Sequence, residues 1–347
     1  MTIRSLIRSD LKDFQPYASA RSLYTKGTFM DANENSLGST VELPLEQELN
    51  RYPDPYSTEL REALAKFAGV KTENIFTGNG SDEAIDLLIR LFVERDEEIL
   101  IVEPTYGMYR VAAALADVKV ATFMLSVDFA LDVEALLAAV SPKTKMLFLC
   151  SPNNPTGKLV EPAVLERICG NFSGIVILDE AYIEFASASS SVEKIKNFEN
   201  LVVLRTFSKA WGLAGIRVGY AVAGKEVIEY LNKIKPPYNL NRVSARIALE
   251  ALKQSAKMAA FKDIILKERA RLAESLAKLG FEVFPSEANF ILARRVGAST
   301  LTKKLAEGQG IIIREFASQP LLKDCVRISV GTAEENTALL EALTKIV

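Results

Sequence analysis

The sequence predicts an α/β fold: a large domain whose mostly parallel sheet is sandwiched by helices, plus a smaller α+β domain. Three observations carry this. Short apolar strands alternate with amphipathic helices from residue 74 to 207, the pattern of a parallel sheet with crossover helices. Those strands are continuously apolar, as expected where both sheet faces are covered. After residue 240 the rhythm changes to a long helical stretch and then to short strands and helices. The length of 347 residues fits about two domains. The expected division is an N-terminal arm over 1–29 that packs with the small domain or a partner, a large ligand-binding domain over 30–240, and a small C-terminal domain over 241–347.

The elements follow in order. RYPDPY (51–56) holds two prolines and reads as an exposed loop leading into a helix that starts near Ser57. NIFT (74–77) reads as a strand, GNGS (78–81) as a turn, and 81–93 as a helix. In that helix Ala84, Ile85, Leu87, Leu88, Leu91 and Phe92 recur at helical spacing. Ser81 is the expected N-cap, and Asp82 and Glu83 suit the positive end of the dipole. Further strands are expected at 98–102, 121–125, 145–150, 175–179 and 200–207, with helices at 107–115, 133–139 and 161–169. One long helix is expected over 241–279. Then come two strands around the Pro-Ser turn of FEVFPSEANFILARR, a helix at 299–306, and strands in GIIIRE and CVRISVG. The last helix opens with a capping box, Thr332 to Glu335, and carries Leu339, Leu340, Leu343 and Ile346 on one face.

Composition excludes several classes. Lys+Arg (42) nearly balance Asp+Glu (44), which argues against a nucleic-acid or membrane-surface partner. No apolar run approaches the ~18 residues needed to span a bilayer. The N-terminus shows no apolar core or small-residue cleavage pattern of a signal peptide, so a cytoplasmic location is expected. Cys150, Cys169 and Cys325 lie far apart in apolar surroundings and read as buried thiols in a reduced compartment. The chain has no histidine. That excludes Ser-His-Asp hydrolysis, Cys-His proteolysis and HExxH zinc chemistry, and no metal site is expected. Proton transfer near neutrality must come from another side chain or a cofactor, and a lysine with a tuned pKa is one means.

In an open α/β sheet, ligands sit beyond the C-terminal strand ends. After 200–207 comes TFSKAWGLAGIRVGY, with Ser208, Lys209 and Arg217 among small residues. A hydroxyl and a guanidinium together suit a phosphate dianion. Asp179 ends an apolar strand, where a carboxylate is costly without a partner, so a cationic ring nitrogen is one candidate. Tyr182 lies three residues further on. SPNNPTG (151–157) is turn chemistry by itself, yet its Asn154 suits a donor to a phenolate oxygen. GNGSDE lacks the glycine spacing of a dinucleotide fingerprint and the Lys of a Walker A loop, which leaves a helix N-terminus fit for phosphate.

Taken in order, GNGSDE, EPTYGMY, SPNNPTG, DEAY, TFSKAWGLAGIRVGY and RISVG resemble the aspartate aminotransferase superfamily, the fold type I pyridoxal-5′-phosphate (PLP) enzymes, over nearly the whole chain. The resemblance implies that Lys209 carries PLP as a Schiff base and that Asp179 pairs with the pyridinium nitrogen. It implies contacts of Asn154 and Tyr182 with the ring oxygen, Tyr106 stacked on the ring, and a phosphate held by Gly80, Ser81, Asp82, Ser208 and Arg217. Tyr52 would reach the phosphate of a neighbouring subunit, implying a homodimer with shared active sites.

PYASAR (16–21), MDANENSLG (30–38), the Tyr-Pro-Asp loop and two arginines near the C-terminus resemble, more narrowly, the histidinol-phosphate aminotransferases. Asp31 departs from the Asn more usual in that family. Two cations, Arg314 and Arg327, suit a phosphorylated amine donor better than they suit a plain amino acid, which needs one carboxylate clamp, and Tyr17 and Glu34 are candidates for the rest of the donor. The implied reaction passes the amine of L-histidinol phosphate to 2-oxoglutarate in histidine biosynthesis. Rival readings are an aromatic-amino-acid aminotransferase, a threonine-phosphate decarboxylase and, in another class, a non-catalytic PLP-sensing regulator domain.

Overall fold

The structure is a computed structural model that describes residues 2–8, 12, 49–316, 319 and 321–346. The expectations for Tyr17, Glu34, Asp31 and the PYASAR and MDANENSLG segments lie outside the described residues.

A short turn of helix, α1 (Ile3–Leu6), and the helix α2 (Thr58–Ala68) precede a seven-stranded sheet. Its strands are β1 (Ile75–Asn79), β2 (Glu98–Glu103), β3 (Lys119–Met124), β4 (Thr144–Cys150), β5 (Ile175–Asp179), β6 (Leu201–Thr206) and β7 (Val218–Ala223), in the spatial order β1-β7-β6-β5-β4-β2-β3. β2 to β6 run parallel, and β7 is antiparallel to both neighbours, β1 and β6. The helices between strands are α3 (Gly80–Phe92), α4 (Met108–Leu115), α5 (Val133–Ala138) and α6 (Pro162–Asn171); α7 (Lys225–Ile234) and α8 (Arg242–Lys253) follow. Successive strand residues feed opposite cores. Ile99 and Ile101 pack under α3, α4 and α7, whereas Leu100 and Val102 pack under α2, α5, α6 and α8. Burial on both faces is why β2, β4, β5 and β6 read as unbroken apolar runs. Among the described residues β1 and β3 are the two edge strands; β1 is largely buried and β3 is partly exposed.

The remaining chain forms α9 (Ser255–Lys278), β8 (Glu282–Val283), β9 (Phe290–Arg294), α10 (Ala298–Gln309), β10 (Arg314–Glu315), β11 (Cys325–Ser329) and α11 (Ala333–Ile346). Its antiparallel sheet, in the order β10-β11-β9-β8, packs on α9, α10 and α11 through Leu272, Ile291, Leu305, Val326 and Leu339. Two apolar clusters join this sheet to the larger one. One pairs Phe129 with Phe284 and Phe316, and the other pairs Tyr182 and Phe185 with Ala288 and Phe290. Among the described residues no helix is long and apolar enough to cross a membrane.

Several expectations need correction. Ser81 is not the N-cap. Asn79 holds that place without a side-chain cap, and the Glu83 carboxylate instead accepts the Asn79 N–H. The long helix is two helices, α8 and α9, parted at Gln254, whose non-helical backbone (φ −106°, ψ 30°) stops the first. The GIIIRE strand shrinks to Arg314–Glu315, because only those two residues pair with β11. β7, a segment where no strand is expected from the sequence, is an interior strand of the sheet. The capping box at Thr332 is present, with reciprocal bonds to Glu335 of 2.8 and 3.2 Å.

Candidate active site

Gly80, Ser81, Asp82, Tyr106, Asn154, Asp179, Tyr182, Ser208, Lys209 and Arg217 all line one cleft, at the C-terminal ends of β1, β4, β5 and β6. This is where the crossover topology leaves strand ends uncovered.

The floor is dry. Asp179 ends β5 and is 3% exposed. It accepts a hydrogen bond from the Tyr109 phenol (2.7 Å) and another from the Ala181 N–H (3.1 Å), both neutral donors. Burial pushes its carboxyl up to about 6, while the Tyr109 bond pulls it back. Tyr109 is itself fully buried and stacks on Phe148 at 4.6 Å. Burial also raises the Tyr182 phenol and the Cys150 thiol well above their usual ranges. Lys209 hangs over this floor, its Nζ 5.4 Å from the Tyr182 ring centroid. Burial and then the Arg327 cation lower its pKa, with Asp179 and Asp82 opposing. A lowered lysine pKa enlarges the neutral fraction, the form that is nucleophilic and basic.

The mouth is wetter and positive. Arg217 adopts the left-handed conformation (φ 53°), costly for a side chain with a Cβ. That turn lets its carbonyl accept the Gly80 N–H at 2.9 Å, while its guanidinium reaches Ser208 Oγ (3.4 Å) and the Asp82 carboxylate (3.3 Å). Ser208 also accepts from Thr206 Oγ1 at 3.0 Å. Gly80 has φ 73°, and a Cβ there would lie 2.7 Å from Arg217 Nη2. A Cβ on Gly219 would meet the Ser81 N at 2.3 Å. At Gly80 a side chain would be strained by the positive φ and would displace the Arg217 guanidinium, and at Gly219 it would strike backbone, so the turn into α3 keeps its backbone open beside a guanidinium and a hydroxyl. This donor set fits a phosphate. Tyr106 also faces the cleft, and its phenol donates to Asp82 Oδ1 at 3.1 Å.

Three other predicted residues stand outside this lining. Arg327, on β11, donates to Asn154 and lies over Phe290 and Phe316, both within 6 Å of its guanidinium carbon (5.5 and 5.9 Å). Arg314 pairs with Arg327 across the β10–β11 ladder and is exposed. Tyr52 is 44% exposed and stacks on Tyr238. Sequence reasoning missed Tyr109, and it placed Cys150 in the core without its share of the cleft wall. A signal for Tyr109 existed: it follows Tyr106 by three residues, and the buried Asp179 needed a donor.

The sequence model of the family "Aminotransferase class I and II" matches residues 30–343. The chain belongs to that family. A histidinol-phosphate aminotransferase of Cytophaga hutchinsonii is 46% identical over 99% of this aminotransferase and 98% of the relative. One of Bacteroides thetaiotaomicron is 42% identical over 99% of each chain. Among solved structures, the histidinol-phosphate aminotransferase of Clostridium acetobutylicum superposes with a TM-score of 0.80 at 30% identity, covering 86% of this chain and 91% of that one. The Sinorhizobium meliloti enzyme, solved in complex with pyridoxal-5′-phosphate, gives 0.81 at 28% identity over 86% and 84%.

Proposed function

We propose that this aminotransferase uses PLP to move the amine of L-histidinol phosphate to 2-oxoglutarate, giving imidazole-acetol phosphate and L-glutamate for histidine biosynthesis. The observation that carries the reading is the convergence of Lys209, Asp179 and a phosphate-ready helix start in one cleft. Relatives named for this activity, at 46% and 42% identity over nearly full length, support the choice of donor.

PLP bound here supplies an electron sink for the negative charge left when a proton leaves the donor's Cα. Lys209 is assigned as the residue that holds it covalently. Gly80, Ser81 and Asp82 backbone, Ser208 and Arg217 hold its phosphate. Asp179 faces the ring nitrogen: a buried carboxylate stabilises a proton on a neighbouring base, and the added cation would bring its own raised pKa down. Asn154 and Tyr182 would contact the ring oxygen, and Tyr106 would lie on the ring face. Once the donor's amine had displaced it from the cofactor, the freed, neutral Lys209 amine would take the proton from the donor's Cα and hand it on. Arg327, with Arg314 beside it, is assigned to the donor phosphate. Tyr17 and Glu34 are assigned to the rest of the donor.

The same reading makes the protein a cytoplasmic homodimer, with Tyr52 of each chain serving the other's PLP phosphate. It divides the chain into an arm (1–29), a cofactor domain (30–240) and a small domain (241–347). A half-reaction screen tests the proposal. The PLP-loaded protein is mixed with histidinol phosphate, phenylalanine, tyrosine, aspartate or threonine phosphate, and conversion to the pyridoxamine form is followed by absorbance. Histidinol phosphate should convert fastest. Release of CO₂ from threonine phosphate, or faster conversion by an aromatic amino acid, would overturn the donor assignment. A protein that takes up no PLP would overturn the whole reading.

A further inference from the structure

A second group of polar residues lies away from the cleft, where α7 ends. The loop 235–239 (KPPYN) touches three places. Lys235 is 8% exposed, and its three N–H donors all go to carbonyl oxygens: Pro55 at 2.6 Å, Pro237 at 3.1 Å and Pro236 at 3.2 Å. Tyr238 stacks on Tyr52 with ring centroids 4.4 Å apart and planes 13° from parallel. Asn239 donates to the Thr77 carbonyl (3.0 Å) and to Glu83 (3.1 Å), and its own carbonyl accepts from Asn79 at 2.6 Å. Glu83 in turn accepts the Asn79 N–H, one residue before Gly80. From the other side, Arg242 donates to the Tyr52 carbonyl at 2.8 Å.

Burying an ammonium is expensive, and an apolar side chain of similar length would fill the space at less cost. What the ammonium achieves is fixed geometry. It ties the Pro53–Pro55 loop to the loop that also braces the residues leading into the cleft's phosphate-ready turn. We propose that Lys235 and Tyr238 are positioning residues that set Tyr52, with the Asn239 tether to the strand end before Gly80 as their fixed anchor. Each chain then presents its phenol across the dimer at an orientation defined by its own cradle. This rests on the reading of Tyr52 as a residue delivered to the partner's PLP phosphate.

Because the residue acts in the other subunit, the effect has a direction that a general loss of stability lacks. Hybrid dimers are assembled from two differently tagged chains, and covalently held PLP is titrated by its visible absorbance, which needs Lys209. In the first hybrid, Lys209→Ala and Lys235→Met share one chain, so the competent site is served by a Tyr52 whose loop has lost its clamp. In the second, Lys209→Ala sits in one chain and Lys235→Met in the other, so the competent site is served by an intact loop. The expected result is about tenfold weaker PLP binding in the first hybrid and wild-type binding in the second. Equal loss in both, or loss only in the second, overturns the inference. Should Lys235→Met fail to fold, Tyr238→Leu takes its place in the same pair of hybrids. A Tyr52→Phe homodimer separates the two readings. If it binds PLP like wild type, the trans role of Tyr52 fails and takes the inference with it. If it binds weakly while both hybrids behave like wild type, the inference alone fails.

Discussion

The floor and the mouth of the cleft are built on opposite principles. At the floor, Asp179 and Tyr109 are almost wholly removed from water and locked by a 2.7 Å hydrogen bond and an aromatic stack. At the mouth, Arg217 and Asp82 keep about half and a third of their side-chain surface exposed and meet at 3.3 Å. Exposed pairs of this kind contribute roughly 0–1 kcal/mol. The floor is therefore organised before any ligand arrives, at a cost to the ligand-free protein. The mouth is held loosely, so that its carboxylate can give way to a stronger anion.

Four substitutions would break or sharpen that contrast. Lys209→Ala removes the residue between the two regions. Turnover should fall by more than about 10³-fold in stopped-flow half-reactions, with the fold intact by circular dichroism. Asp179→Asn tests the cost of the floor. Its carboxyl sits at about 6 in the folded chain, against 3.8 when exposed. Between those values the folded state binds the proton and the unfolded chain does not, so stability is lost as pH rises through that window. By pH 7.5 the loss is on the order of 3 kcal/mol, and the Asn variant without cofactor should be more stable by a similar amount. Calorimetry near pH 4 should find that advantage gone. A variant no more stable than wild type at pH 7.5 would contradict a desolvated carboxylate.

Arg217→Gln addresses the mouth. PLP binding, measured by equilibrium absorbance titration, should weaken by roughly 2 kcal/mol, about thirtyfold. Stability without cofactor should change by less than about 1 kcal/mol. A large drop in that stability would mean the mouth is as locked as the floor. Tyr109→Phe is the smallest change. It removes the bond that holds the Asp179 carboxyl down. The pH at which stability is lost should move up by about one unit, ~1.4 kcal/mol.

Much of this contrast could be read from the chain alone. The strand ends at Cys150, Asp179 and Thr206 were legible because buried parallel strands are apolar runs ended by polar residues. Nine of the ten residues placed in one cleft came from those ends, from α3 or from the turn before α4, and Arg217 came from the turn that leads into β7. What escaped depends on partners distant in sequence. No strand is expected at β7 because VGYAVA follows directly on a glycine-rich turn, and its neighbours β1 and β6 make it an interior strand. Tyr109 reads as packing until Asp179, 70 residues later, is placed beside it. Lys235 reads as a surface lysine, since its Pro55 acceptor lies 180 residues away. The break at Gln254 carries no proline or glycine to mark it.

The antiparallel insertion of β7 has a consequence for synthesis. Among the described residues β1 has β7 as its one sheet neighbour, through pairs such as Ile75 with Val222 and Asn79 with Val218. A nascent chain that has reached the ribosome exit with 75–79 alone has no edge for that segment to join. The glycine contact of Gly219 against Ser81 waits equally long. Such long-range closure is slow and comes late. Closure of the turn at Gly80 should thus mark a translation product already past its seventh strand, and chains that stop before Val218 should lack that turn.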